Sequence, residues 1–167
     1  NHFDLRIIGN LPYNISTPLL FYLLSYKKII KDMLFMLQKE VVDRICAQRG
    51  TKEYGRLSVT LQYYCEVESK LTIGPEAFYP APKVNSAIIR ITPRQKPKYQ
   101  LSSEDCFKTI VREAFSQRRK TLRNGLKKYL NETNIKEIGI PLNERAENLK
   151  VKDFVSLSNL YYQSKNN

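Results

Sequence analysis

Histidine is nearly absent from this 167-residue chain, with His2 its sole instance. Cysteine is scarce: Cys46, Cys65 and Cys106 are far apart, odd in number and never at C-x-x-C spacing. A zinc site draws on a full set of N and S ligands, so metal binding has nothing to build on here, and a disulfide framework is excluded with it. The cysteines are expected to be buried thiols of a reducing, cytoplasmic setting. Glycine is thinly spread. Gly9, Gly50, Gly55, Gly74, Gly125 and Gly139 include no pair at G-x-G spacing, and none leads a first strand into a helix. No apolar run is long enough to span a bilayer and no signal peptide is visible. The chain opens on Asn1 rather than Met and enters a strand-like pattern within a few residues, which reads as a piece of a longer protein.

What is abundant is positive charge. Lys and Arg number 28 against 16 acidic residues, a formal net charge of +12 and a pI near 9.6. Cationic side chains gain by displacing counterions from phosphates, so the balance points to a nucleic acid ahead of an acidic membrane face. Hydrophobic residues at 42% supply a real core and argue against global disorder.

The pattern along the chain changes once. "DLRIIGNLPY" reads as a short buried strand with its exit loop, and "STPLLFYLLSY" as a helix capped by Ser16 or Thr17 with Pro18 at its first position. "MLFMLQ" is a second strand and "KEVVDRICAQ" a second helix, the grammar of a parallel α/β layer. After the polar loop "RGTKEYG", the stretch "RLSVTLQYYC" reads as helical, with Leu57, Leu61, Tyr64 and Cys65 on one face. "EVESKLTI" and "VNSAIIRITP" alternate as strands around the proline-dense loop "GPEAFYPAPK" and suggest an antiparallel hairpin at the sheet edge. "RQKPKYQ" is the best linker. Beyond it all is helical: Phe107, Ile110, Val111, Ala114 and Phe115 form one stripe, Leu122, Leu126 and Leu130 another, and "VKDFVSLSNLYY" a last helix. The expected architecture is an α/β unit over residues 1–95 and an α-helical domain over 96–167.

Asn10-Leu11-Pro12-Tyr13 closes the first strand. The carboxyl end of a parallel strand is where α/β proteins place ligands. Proline stiffens the turn and removes a donor, leaving neighbouring carbonyls to face a cleft. Asn10 adds a side-chain acceptor and Tyr13 an aromatic face, which together suit a planar base with an exocyclic amine. Held by both hydrogens, an adenine N6 is favoured as a pyramidal nitrogen with its lone pair aimed at an electrophile. Its proton can leave after a methyl group arrives, so the missing histidine and paired carboxylates are no obstacle. These residues read equally as a rigid strand-to-helix turn with an incidental tyrosine.

The longer string "NLPYNISTPLLFYLL" resembles motif IV of the S-adenosylmethionine-dependent rRNA adenine dimethyltransferases. The likeness continues in "FMLQKEVVDRI", "YGRLSV", "LQYYC", "AFYPAPKVNSAIIR", "AFSQRRKTLRN" and "RAENL", and is nearest to the bacterial small-subunit branch of the family. It implies a partial Rossmann-like methyltransferase sheet, mixed and with an antiparallel edge hairpin, followed by a small all-α domain. It implies dimethylation of adjacent adenosines near the 3′ end of 16S rRNA and a role in small-subunit maturation. Asn10 would then touch both methyl donor and target amine, Leu11 and Pro12 would form the backbone side of the pocket, Tyr13 would stack on the base, and Phe78 would close its other face. The base must be unstacked and flipped to enter. The family's glycine loop and its acidic ribose contact have no counterpart here, so the resemblance starts at the fourth strand of the sheet and most of the donor site is expected upstream.

Three expectations follow for the chain by itself. It binds the donor weakly or not at all; strands at Leu5–Gly9 and Met33–Gln38 lose sheet neighbours and expose apolar surface; and it can self-associate through that edge, although the full-length protein is expected to be monomeric. Alternatives are a non-catalytic RNA-binding assembly factor and a large-subunit methylase of the macrolide-resistance type. Intact Asn10, Tyr13 and Phe78 argue against the first, "QRRKTLRN" against the second. Between Lys108 and Lys128 the only acid is Glu113, while Arg112, Arg119 and Arg123, like Lys120 and Lys127, recur near helical spacing. With Arg118 they are expected to form an RNA phosphate-contact face. Arg145 is expected to pair with Glu144 or Glu147.

Overall fold

The structure, a computed structural model, describes residues 4–12, 14–116 and 120–166. The chain divides into two compact units, Asn1–Ala47 with Leu61–Pro97, and Gln48–Thr60 with Lys98–Asn167.

The first unit is a four-stranded sheet of order β1-β2-β4-β3. Strand β1 (Leu5–Asn10) runs parallel to β2 (Ile30–Gln38), as their connection through helix α1 (Ser16–Leu24) requires. Strands β3 (Cys65–Ile73) and β4 (Ser86–Pro93) form the antiparallel pair, with β4 lying between β3 and β2. The side-chain alternation of β2 and β4 sends Met33, Phe35, Leu37, Ala87, Ile89 and Ile91 to a dry face, all within 1% of full burial. Leu20 and Leu24 of α1, with Val42 and Ile45 of α2 (Lys39–Cys46), add to the buried apolar set of this unit. The Gln62 side-chain amide donates to the Ile45 and Ala47 carbonyls at 2.9 and 2.8 Å, satisfying acceptors that the end of α2 leaves open.

The other sheet face is not sealed. Ile8 is 78% and Leu71 56% exposed, and Leu34, opposite Ile8 in the β1–β2 register, is exposed as well. Asp32 on that face bonds Arg90 at 2.7 Å and lies 3.4 Å from Arg6. Strand β1 is the open edge expected of a strand that loses a sheet neighbour, paired on one side only among the described residues, and it is largely exposed rather than buried as its apolar content suggested. The other edge expectation is corrected. Met33–Gln38 is no edge at all, since β4 pairs along its other side.

Local details also differ from expectation. Helix α1 begins at Ser16 after Ile15, so Pro18 is its third residue and not its first. The N–H that proline lacks would have no intrahelical partner anywhere in that first turn, so the helix tolerates it there. Helix α3 (Arg56–Tyr64) ends one residue before Cys65, which opens β3 with its side chain fully buried.

The second unit is helical: α4 (Glu104–Ser116), α5 (Leu122–Leu126), α6 (Glu132–Glu137) and α7 (Val151–Asn166). Helix α4 packs on α7 through the expected stripe of Phe107, Ile110, Val111 and Ala114. Phe115 stacks on Phe154 with centroids 5.4 Å apart, and Tyr54 meets the Phe115 ring edge-on at 6.2 Å. Buried Tyr54 and a Gly50 N–H bond to the Glu147 carbonyl at 2.7 Å fasten the 48–60 segment into this unit.

Candidate active site

Asn10 is the last residue of β1 and faces Met36 across the parallel ladder. The following N–H, from Leu11, donates to the Met36 carbonyl at 3.1 Å, so the exit of β1 stays pinned to β2 for one residue more. The chain then turns, and the Pro12 carbonyl accepts from the Ile15 N–H at 3.2 Å. Among the described residues no backbone bond of this kind engages the Leu11 carbonyl. Leu11 is buried and Asn10 exposed, so the turn is anchored by the apolar residue and presents the polar one.

The opposite wall comes from the segment between β3 and β4. A 3₁₀ turn over Pro75–Ala77 has the Phe78 N–H donating to the Pro75 carbonyl at 3.1 Å. At its far end the Asn85 carbonyl accepts from the Lys39 N–H at 2.9 Å, tying the segment to the start of α2. Between these anchors an open cleft of about 370 Å³ is lined by Asn10, Leu11, Pro12, Met36, Phe78, Tyr79, Pro80, Pro82 and Ser86. Asn10, Leu11, Pro12 and Phe78, remote in sequence, therefore share one cavity. Tyr13 lies outside the described residues. Met36 and Ser86 were not singled out from sequence; their signal is register, since they are neighbours of Asn10 and of the β2 end.

Among the described lining side chains none is a carboxylate, a histidine or a thiol. Burial pushes the Cys65 thiol up to about 12, against the opposing pull of Arg94 and Lys27, and burial also raises Cys46. A protonated, buried thiol is no nucleophile. Among the described residues no cluster of His, Cys, Asp and Glu could hold a metal ion, and no helix is long and apolar enough to cross a membrane. What the cleft offers is amide and carbonyl acceptors beside an aromatic ring.

The sequence model of a family described as "Ribosomal RNA adenine dimethylase" matches residues 1–163. The chain belongs to that family. It is 58% identical over 162 residues to ribosomal RNA small subunit methyltransferase A of Hydrogenovibrio crunogenus, covering 97% of this chain and 61% of that protein. The protein of the same name from Psychromonas ingrahamii is 50% identical over 163 residues, covering 98% and 60%. The chain thus spans about 60% of the length of these curated family members. A crystal structure of a dimethyladenosine transferase from Plasmodium falciparum superimposes with a TM-score of 0.81 at 27% identity, over 99% of this chain and 69% of that one. The fold is accordingly α/β of the Rossmann-like methyltransferase type with a helical C-terminal part, as the resemblance implied.

The basic segment is arranged differently from its helical-wheel reading. Helix α4 stops at Ser116 and α5 starts at Leu122, so Arg112 and Arg123 sit on separate helices. Lys120 precedes α5, and Lys127 is the residue that ends it. Arg118 and Arg119 lie outside the described residues. Arg112 donates from Nε to Glu113 at 2.8 Å, a bond that raises its already high pKa. Arg123 grips Glu132 with a fork, Nε and Nη2 each 3.0 Å from a carboxylate oxygen. Glu132 is far enough along the chain to escape a local charge count, and the fold brings it in. Lys120, Lys127 and Lys128 are exposed with no ion pair among the described residues. Arg145 lies 4.0 Å from Glu147, the second of its two expected partners.

Proposed function

We propose that this chain supplies the substrate-gripping part of an S-adenosylmethionine-dependent methyltransferase, cytoplasmic in location, that dimethylates N6 of adjacent adenosines near the 3′ end of 16S rRNA during small-subunit maturation. The sheet unit holds the flipped base and the helical unit meets RNA phosphates. The observation that carries this reading is the meeting of Asn10, the Leu11–Pro12 turn and Phe78 in one cleft at the carboxyl end of β1.

In this reading the Asn10 Oδ1 and the Leu11 carbonyl each accept one N6–H. Phe78 covers one face of the purine and Tyr13 the other. Taking both hydrogens draws the N6 lone pair out of conjugation and directs it outward, so orientation lowers the barrier without a general base. In forming the new N–C bond, N6 would take the methyl carbon from the sulfonium sulfur, which would keep the S–C bonding pair and leave as a neutral thioether; N6 would then be cationic and acidic, its proton would pass to water, and the mono-methylated amine would keep one hydrogen for a second round.

S-adenosylmethionine supplies an electrophilic methyl carbon. The residues present fit the acceptor base better than the donor. In this reading Asn10 touches both, but among the described cleft residues none is a carboxylate for the ribose hydroxyls, and no glycine pair at G-x-G spacing cradles the rest. We therefore assign most of the donor site to sequence upstream. Calorimetry should detect no donor binding to this chain at concentrations that saturate the full-length protein, and equal affinity would refute the assignment.

The test of the function is transfer of labelled methyl groups to unmethylated small subunits by full-length protein. Asn10→Ala should lose about 100-fold or more in kcat, in line with removal of a preorganised hydrogen-bonding partner. Retention of full activity overturns the reading.

A further inference from the structure

Tyr79 is the most exposed large hydrophobic side chain among the described residues, at 103% of its reference area, yet it lines the same cleft as Asn10 and Phe78. Isolated surface aromatics are common and need no explanation. This one differs by its setting. It stands next to Phe78, which is half-buried in the cleft wall, and before Pro80 and Pro82. Prolines fix the local φ, and the loop is bonded at both ends, through Phe78 to Pro75 and through Asn85 to Lys39. A ring that packs against nothing is thus held at the rim of the cleft on a stiff support. It contributes almost nothing to folding, and its apolar faces are open to a partner.

An adenosine turned out of its stack into the cleft leaves its chain neighbour at the mouth with one face bare. We infer that Tyr79 is a stacking platform for the nucleotide flanking the adenosine in the cleft, so that this chain grips a two-base single-stranded element of RNA. The inference rests on the proposed function and adds a substrate contact to it. Aromatic stacking on a base tolerates any base identity, so the contact positions the strand without selecting its sequence.

The experiment uses full-length protein, unmethylated small subunits, and an RNA hairpin carrying 2-aminopurine at the flanking position. Tyr79→Ala should lower kcat/KM about tenfold, mainly through KM, the loss typical of one base–aromatic stack. It should also abolish the fluorescence quenching that accompanies binding. Tyr79→Phe, which keeps the ring, should recover both. With an abasic flanking position, wild type and Tyr79→Ala should become equal, because the two lesions remove one interaction. Since the ring is fully exposed, the melting temperature should not move. An unaltered Tyr79→Ala enzyme, or Tyr79→Phe as impaired as Tyr79→Ala, defeats the inference. Asn10→Ala run in parallel separates the causes: if it is inactive while Tyr79→Ala is normal, the function stands and only the platform falls. If Asn10→Ala is fully active, both fall.

Discussion

The two units bury their apolar residues in different ways. In the helical unit Phe107, Ile110, Leu126, Phe154 and Leu157 are all at 0% exposure, and residues from α4, α5 and α7 contribute to a dry interior. In the sheet unit one face is equally dry, but the other leaves Ile8 at 78% and Leu71 at 56% in water. The unit with the incomplete burial is also the one with the cleft. Its polar groups sit where a strand ends, pinned by backbone bonds to β2 and α2, whereas the helical unit presents charge on a self-sufficient core. In the proposed function one unit is organised around holding a small planar group and the other around its own stability.

The contrast can be broken first at Phe154. Its ring stacks on Phe115 and is fully buried, so Phe154→Ala should cost about 3–5 kcal/mol in urea unfolding followed by circular dichroism. A loss under about 1 kcal/mol would mean that the helical core repacks freely and is not the rigid element described.

Much of this division was legible in the residues. A short apolar run marked β2, period-2 alternation marked β4, and the i, i+3, i+4 stripe marked α4, because each depends on burial of its apolar residues. The exposure of β1 was not legible in its own residues, although the loss of upstream neighbours was expected to leave it an edge. "LRIIG" has the apolar content of a central strand, and exposure depends on neighbours rather than on the strand itself. Nor did the polar segment "RGTKEYG" announce that Tyr54 inside it anchors 48–60 to the helical unit, since a single aromatic carries no periodicity. The cleft was legible in part. Asn10 and Phe78 stood out by resemblance, while Met36 and Ser86 entered by strand register, which only the assembled sheet defines. The engagement of Arg123 by Glu132 shows the same limit for charge: a window of sequence counts neighbours along the chain, not across the fold.

A second probe uses pH in the sheet unit. Cys65 is protonated in the fold up to about 12, against an ordinary thiol value of 9.0. Above the ordinary value the unfolded chain releases this proton while the folded chain keeps it, so the folded state loses stability as pH rises from there toward 12. The slope from this one group is about 1.4 kcal/mol per pH unit. Cys65→Ala should flatten that decline while lowering stability near neutrality through lost packing. An unchanged alkaline slope would show that the thiol is not the group responsible.

The open sheet face supplies a smaller and sharper comparison. In this chain alone Ile8→Ser should change stability by no more than about 0.5 kcal/mol, as expected for a surface position. In full-length protein the same change should cost about 1–3 kcal/mol where further sequence covers this face. Equal effects in the two settings would mean that the face stays open.

The smallest effect belongs to the lysines of the helical unit. Lys120 and Lys127 are exposed and without ion pairs among the described residues, whereas Arg112 and Arg123 already hold carboxylates. A cation that must release a carboxylate before meeting a phosphate gains less from the exchange, so the free lysines should dominate the salt dependence of RNA binding. Each of Lys120→Ala and Lys127→Ala should reduce the slope of log K against log salt by about 0.7–0.9. Arg123→Ala should reduce it by less, because Glu132 is then freed to repel the phosphates it faces only if RNA reaches that surface. A slope that responds to Arg123 and ignores both lysines would place the RNA on the α5–α6 side and remove Lys120 and Lys127 from the interface.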